Sequence, residues 1–158
     1  MLERDPSVSK TSVLFICPDN SLLGPLAEAY LNFRAGGLMR AFSAGIEPAL
    51  RLNAHVKQLL TSVGANPEGL QPKPVDVFLM PHTIVPDRVI YLADLAPIKL
   101  PTPWKTTTSS HWWSIDTKSG EPHAFAASDD CFRRIRKAID RLLEPPRVET
   151  PSILFNVA

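Results

Sequence analysis

The first third of the chain passes from a continuous apolar run to apolar residues at helical spacing. Residues 13–16 (Val-Leu-Phe-Ile) are uninterrupted and partly β-branched, which predicts a strand buried on both faces. Pro25 suits the first turn of a following helix, and Gly36 suits its end. The apolar stripe of this helix is Leu23, Leu26, Ala27, Tyr30 and Leu31. The pattern therefore predicts a strand, a short loop and a helix.

Further segments of both kinds follow. We predict strands at 38–45, 75–80 and 88–92, a helix after Asn53 with its stripe at Val56, Leu59, Leu60 and Val63, and a last helix at about 128–143. Residues 97–122 are expected to be loop. Eight of the sixteen prolines lie between residues 67 and 103, which argues against long helices in the middle of the chain.

This order of elements, joined by right-handed crossovers, predicts an α/β fold: a small doubly wound four-stranded parallel sheet with helices on both faces. Ligands bind such a sheet outside the carboxyl ends of its strands, where the loop after the first strand would lie. At 158 residues we expect a single domain over 11–144, after a polar leader at 1–10 and before a C-terminal tail at 145–158.

Charge and composition exclude several classes of protein. A formal charge of +1 gives no overall field for nucleic acid or an acidic membrane, and we expect neither as a partner. Cys17 and Cys131 form neither a zinc motif nor a disulfide framework, and the histidines match no metal-ligand spacing. The charged N-terminus is not a signal peptide, and no apolar run approaches membrane length. We expect a cytoplasmic protein without metal or cofactor.

The loop after the first strand is the candidate site. Its residues are Cys17, Asp19, Asn20, Ser21, Leu22, Leu23 and Gly24, with Pro18 between the first two. A loop that precedes a helix directs backbone N–H groups at whatever lies over the helix N-terminus, so this is a candidate anion site.

The loop resembles that of the low-molecular-weight protein tyrosine phosphatases and the related arsenate reductases, which reads Cys, five residues, Arg, then Ser or Thr. In this resemblance Cys17 stands at the nucleophile, Asn20 at the asparagine that braces the loop, and Pro25 at the proline that starts the helix. A Ser-Ala-Gly tripeptide at 43–45 also matches the family. The resemblance implies the predicted fold over about 11–143 and a thiol-dependent phosphate chemistry.

Three positions depart from the family pattern. Leu23 replaces the arginine that would clamp the phosphoryl oxygens, Gly24 replaces the hydroxyl residue, and Asp19 replaces a glycine. A carboxylate in the loop repels a phosphate dianion and raises the pKa of a nearby thiol. We therefore interpret the chain as a family member with an impaired site, acting as a binding or regulatory module.

The alternative is an active phosphatase or glutathione-type arsenate reductase, with Cys17 as nucleophile. In the resemblance Asp116 stands at the position of the general acid. Such an enzyme needs a borrowed cation, for which Arg51, Arg88 and Lys105 are candidates, and a small anion or phosphoprotein is a partner only if one is supplied.

The third hypothesis is a structural or dimerising protein. It depends on the exposed tryptophans predicted at 104–113 and on the apolar tail, either of which suits a protein partner or a homodimer. The basic run 133–137 is interrupted by Ile135, which is typical of a solvent-facing helix surface.

Overall fold

A computed structural model describes residues 10–115 and 124–145. Its strands are β1 (Thr11–Cys17), β2 (Met39–Gly45), β3 (Arg88–Tyr91) and β4 (Ser109–Trp112). Its α-helices are α1 (Leu23–Ala35), α2 (Val56–Ser62), α3 (Asp76–Leu79) and α4 (Phe125–Leu143), and a 3-10 helix covers Thr102–Trp104. Apart from Lys10 and Pro145, the predicted leader and tail lie outside the described residues.

The four strands form one parallel sheet in the order β2-β1-β3-β4. The predicted fold class is confirmed, since the chain reverses its direction of winding after β2 as a doubly wound sheet requires. Cys17 is the last residue of the central strand β1, paired with Gly45 at the end of β2. The carboxyl end of β1 is therefore the place where the topology puts a ligand crevice.

The two faces of the sheet bury cores of different size. Val13, Phe15 and Cys17 point to the larger core, which contains residues of α1, α2 and α4. Leu14 and Ile16 point to the smaller core, which is completed by residues such as Trp104. The alternation follows from the two-residue period of a strand, so the Cys17 thiol lies on the α1 side.

One predicted strand, 75–80, is wrong. This segment forms the short helix α3, and two of its apolar side chains remain exposed, Val77 at 41% and Met80 at 59%. The backbone makes one bridge, between Pro74 and Gly45, and then turns into the helix. Because proline has no N–H for a ladder, Pro74 and Pro81 leave this run poorly suited to a strand.

The predicted loop at 97–122 is also partly wrong, because Ser109–Trp112 is the edge strand β4. All four of its residues are exposed, so it lacks the apolar alternation by which strands are recognised. The last helix begins at Phe125, slightly before the predicted start. Within the described ranges, no helix has the length and apolarity needed to cross a membrane.

Candidate functional site

The Cys17 thiol lies at the bottom of the loop that joins β1 to α1, and it is 1% exposed. Its Sγ accepts a hydrogen bond from the backbone N–H of Asn20 at 3.2 Å and another from the backbone of Gly24. Burial raises the pKa of the Cys17 thiol to about 11, with a smaller contribution from the Asp19 carboxylate, and the two N–H groups offset only part of this rise. At neutral pH the sulfur is therefore a protonated thiol.

Asn20 ties the loop to two other segments. It is fully buried in the left-handed conformation, with φ of 54°. Its Nδ2 donates to Ser43 Oγ at 3.0 Å, and its Oδ1 accepts from the backbone N–H of Lys73 at 2.9 Å. These bonds connect the loop to β2 and to the segment before α3.

A second layer of polar contacts supports Asn20. Ser43 Oγ donates to Glu28 Oε1 at 2.7 Å, and Lys73 Nζ lies 3.5 Å from the same carboxylate oxygen. The Lys73 ammonium is therefore paired with Glu28 on α1. The sequence showed Ser43 in the family tripeptide, but it gave no signal for Glu28 or Lys73.

The backbone of the loop has the orientation of an anion cradle. The carbonyls of residues 17, 18, 19 and 21 accept hydrogen bonds from amides of the segment 46–53, at 2.8–3.2 Å. In a planar trans peptide the next N–H points away from the carbonyl, so the amides of Asp19, Asn20 and Leu22 face away from that segment. The amide of Asn20 does reach the thiol. The amides of Asn20 and Gly24 therefore point at the Cys17 sulfur, and such converging amides bind anions in other proteins.

Two glycines allow the close packing of the loop. A Cβ on Gly45 would lie 2.8 Å from the backbone carbon of Asp19 and 2.9 Å from the nitrogen of Asn20. A Cβ on Gly24 would lie 2.5 Å from Asn20 Nδ2 and 3.2 Å from the Cys17 Sγ. The Asn20 amide thus occupies space that any side chain at position 24 would need, the hydroxyl residue of the family pattern included.

The polar side chains of residues 18–24, the loop itself, are acidic or neutral. Asp19 is exposed, and its Oδ1 accepts hydrogen bonds from the N–H and the hydroxyl of Ser21, at 3.1 and 2.8 Å. Leu22 and Leu23 are half-buried and pack against the larger core. The Leu23 side chain therefore packs against the core, whereas the family pattern has a guanidinium at this position.

Two of the three candidate cations lie away from the Cys17 thiol. Arg88 pairs with Val13 at the start of β3, four residues and about 13 Å along the strand from Cys17. Lys105 follows Trp104, which belongs to the core on the other face of the sheet. Arg51 is exposed in the segment 46–53, whose amides bond to the loop, and it is not among the groups that shift the Cys17 pKa most.

Asp116, the predicted general acid, lies outside the described residues. The two residues before it are held by α4: Arg134 Nη1 donates to the carbonyl of Ser114 at 3.3 Å, and Nη2 donates to that of Ile115 at 2.8 Å. Across 10–115 and 124–145, no group of three or more metal-binding side chains comes together.

No family model matches the sequence, whereas several solved structures match the fold. An arsenate reductase from Archaeoglobus fulgidus DSM 4304 is 26% identical, with a TM-score of 0.65 over 82% of this chain and 97% of that one. An arsenate reductase in the phosphate binding state is 20% identical, with a TM-score of 0.67 over 84% and 95%.

The tyrosine phosphatase Wzb from Escherichia coli K30, in complex with sulphate, is 15% identical, with a TM-score of 0.60 over 85% of this chain and 96% of that one. The chain therefore has the fold of the low-molecular-weight tyrosine phosphatases and arsenate reductases, and the resemblance seen in its sequence is confirmed at that level.

Proposed function

We propose that this chain is a phosphatase-like protein that has lost phosphoryl-transfer chemistry and acts as a binding or regulatory module. One observation carries the proposal: the cradle at the end of β1 holds a buried, protonated thiol beside Leu23, and none of the groups that most shift the Cys17 pKa is a cation. The fold is retained, but function depends on the site and not on the fold.

Two requirements of the chemistry support this proposal. A thiol with a pKa of about 11 is ionised in roughly one molecule in several thousand at pH 7.5, and the thiolate is the nucleophile. A transferring phosphoryl group also spreads negative charge over three oxygens, and arginines that stabilise it contribute roughly 10³- to 10⁵-fold in rate. Asp19 adds a repulsive charge at the mouth of the loop.

Turnover of p-nitrophenyl phosphate tests the proposal directly. We expect the wild-type chain to hydrolyse it no faster than the Cys17→Ser variant. Turnover by the wild type that disappears in Cys17→Ser would overturn the proposal in favour of an active phosphatase, and arsenate reduction with glutathione is tested in the same way.

Restoring the charge sharpens this test. We expect Leu23→Arg to gain turnover that depends on Cys17, since the backbone cradle is already in place. Leu22→Arg is the matched control: the neighbouring leucine is also half-buried and packs on the same core, so it adds the same charge at a position the family pattern does not use. Equal gains in both variants would contradict a specific vacancy at position 23.

The missing arginine charge at position 23 also determines which partners we propose. Millimolar phosphate is expected to leave the melting temperature of the wild type unchanged, because a ligand stabilises only the state that it binds. The natural partner is then a protein rather than a small anion. We also propose a cytoplasmic location, since two cysteines without a disulfide framework suit a reducing compartment.

A further inference from the structure

A groove runs between α1 and α4 at the far end of α1 from the Cys17 loop. Its volume is about 340 Å³, and its apolar floor is formed by Tyr30, Phe33 and Val63. Phe33 is 46% exposed and lies in tilted contact with the Tyr30 ring. We call this region the α1–α4 groove.

Basic side chains dominate the walls of the α1–α4 groove. They are Arg34, Arg133, Arg136 and Lys137, and Asp140 is the one carboxylate among its lining residues. Asp140 is held by the Tyr30 hydroxyl at 2.8 Å and by Arg34 at 3.6 Å. Arg133 is shared with Asp129 and Asp130 on its own helix.

Of the four basic side chains in the groove, Arg136 and Lys137 remain to be considered. In the described residues neither has a carboxylate within salt-bridge distance, and Arg136 stacks over the Phe132 ring at 4.7 Å. A cation–π contact fixes a guanidinium without neutralising it. The groove thus carries two positive charges that have no carboxylate partner among the described residues, beside an exposed aromatic ring, in a chain whose total formal charge is only +1.

From this combination we infer that the α1–α4 groove is a docking surface for an acidic protein segment, one that places carboxylates against Arg136 and Lys137 and an apolar side chain against Phe33. Charge complementarity gives the orientation, and burial of the aromatic floor gives affinity. A nucleic acid suits the surface less well, because a total formal charge of +1 gives no overall field to attract a phosphate backbone.

The inference goes beyond the proposed function, because it concerns a separate surface. Arg34 lies eleven residues after Leu23, roughly 16 Å along α1, so the groove and the Cys17 loop are at opposite ends of one helix. Failure at one surface does not imply failure at the other, and Leu23→Arg is expected to leave docking unchanged.

The test uses the full chain and a fluorescein-labelled peptide, Glu-Glu-Asp-Phe-Glu-Glu, with fluorescence anisotropy as the readout. We expect the double variant Arg136→Gln, Lys137→Gln to weaken binding about tenfold, as expected for the loss of two charge pairs at a partly exposed site. The matched control is Lys57→Gln, Lys105→Gln, which removes the same charge from two exposed lysines elsewhere and should change binding less than about twofold. Replacing the peptide's Phe by Ser should also weaken binding.

Several results would overturn the inference. Equal losses in the two double variants would mean that the peptide senses only net charge. Tighter binding of an oligo-thymidine or of anionic vesicles, with the same loss in Arg136→Gln, Lys137→Gln, would assign the groove to those partners. Tighter peptide binding after deletion of residues 146–158 would identify the tail as the occupant. Because Arg136 also packs on Phe132, Lys137→Gln alone provides a second variant, and no loss in it would count against the inference.

Discussion

The Cys17 loop and the α1–α4 groove lie at the two ends of α1, and each has what the other lacks. The loop has the backbone of an anion site, with inward-facing amides and the fully buried Asn20, but the charge beside it belongs to Asp19. The groove has positive charges without a carboxylate partner in the described residues, but no backbone cradle. In this molecule the shape and the charge of an anion site are found in different places.

The difference between the loop and the groove shows which residues of such a site also stabilise the fold. The Asn20 side chain satisfies buried polar groups of two other segments, so its loss would cost stability whether or not the site works. An arginine at position 23 would contribute to chemistry and little to folding, and Leu23 packs well in its place. The loop keeps the asparagine that braces it, and its three departures from the family pattern include the position of the arginine.

The largest effect that we predict is a loss of stability in the loop, compared with the loss at an exposed asparagine. Asn20→Ala should lower the free energy of unfolding by about 3 kcal/mol, because it leaves the Lys73 amide without its acceptor and puts alanine in a left-handed conformation. Asn32→Ala is the control: Asn32 also makes two bonds, both to Ala41, but it is exposed, and about 1 kcal/mol is expected. Urea unfolding measures both variants, and equal losses would contradict a special role for Asn20.

The second prediction tests whether the loop excludes negative charge. Because the pKa of Cys17 is raised to about 11 in the folded chain, the native state keeps a proton that the unfolded state loses nearer pH 9. The resulting stability is complete below about pH 9 and is lost as pH rises through 11, by about 2 to 3 kcal/mol in all.

Raising the pH from about 7 to about 10.5 should therefore lower the free energy of unfolding of the wild type more than that of Cys17→Ala. Urea unfolding at the two pH values measures the difference. The pKa values of Tyr30 and Tyr91 are also raised by burial, but both tyrosines are present in the two proteins and cancel in the comparison. Identical pH profiles would show that the thiol ionises freely in the folded chain.

The third prediction concerns the hydroxyl residue of the family pattern. Gly24→Ser should destabilise the chain by about 2 kcal/mol, because its Cβ would meet the Asn20 amide that is held by Ser43. If the clash is the cause, the double variant with Asn20→Gly should lose less stability than the sum of the two single variants. An unchanged melting temperature in Gly24→Ser would mean that the loop adapts at no cost, and the double repair Leu23→Arg, Gly24→Ser would then be the better test of activity.

The sequence predicted β1, the Cys17 loop and α1 because their signals are local: an apolar run, a loop residue pattern and a helical stripe. It could not predict the strand at Ser109–Trp112, since an exposed edge strand has no apolar face to reveal it. It mistook 75–80 for a strand because a short apolar run is compatible with either element, and the segment forms the helix α3.

The candidate site, too, could be predicted only in part from the sequence. Cys17, Asn20 and the departure at Leu23 could be recognised from their order along the chain. The hydrogen-bond donors that hold the loop belong to distant segments. They include the Lys73 amide and the amides of 46–53, and no local pattern identifies them. Leu23 indicated that the arginine of the family pattern is missing, but the positions of Arg88 and Lys105 became known only from strand register and core membership.

The smallest predicted effect compares one ion pair at each end of α1. Lys73 and Glu28, under the loop, are 25% and 17% exposed, whereas Arg34 and Asp140, in the α1–α4 groove, are 53% and 47% exposed. Solvent screens the second pair more strongly, so Lys73→Met should cost about 1 kcal/mol and Arg34→Met less than about 0.5 kcal/mol. Methionine keeps most of the aliphatic stem in both cases, so unfolding measurements compare the charges. If Arg34→Met proves the more damaging change, the groove is a structural ion-pair site, and its positive charges are then not available for a partner in the way that we propose.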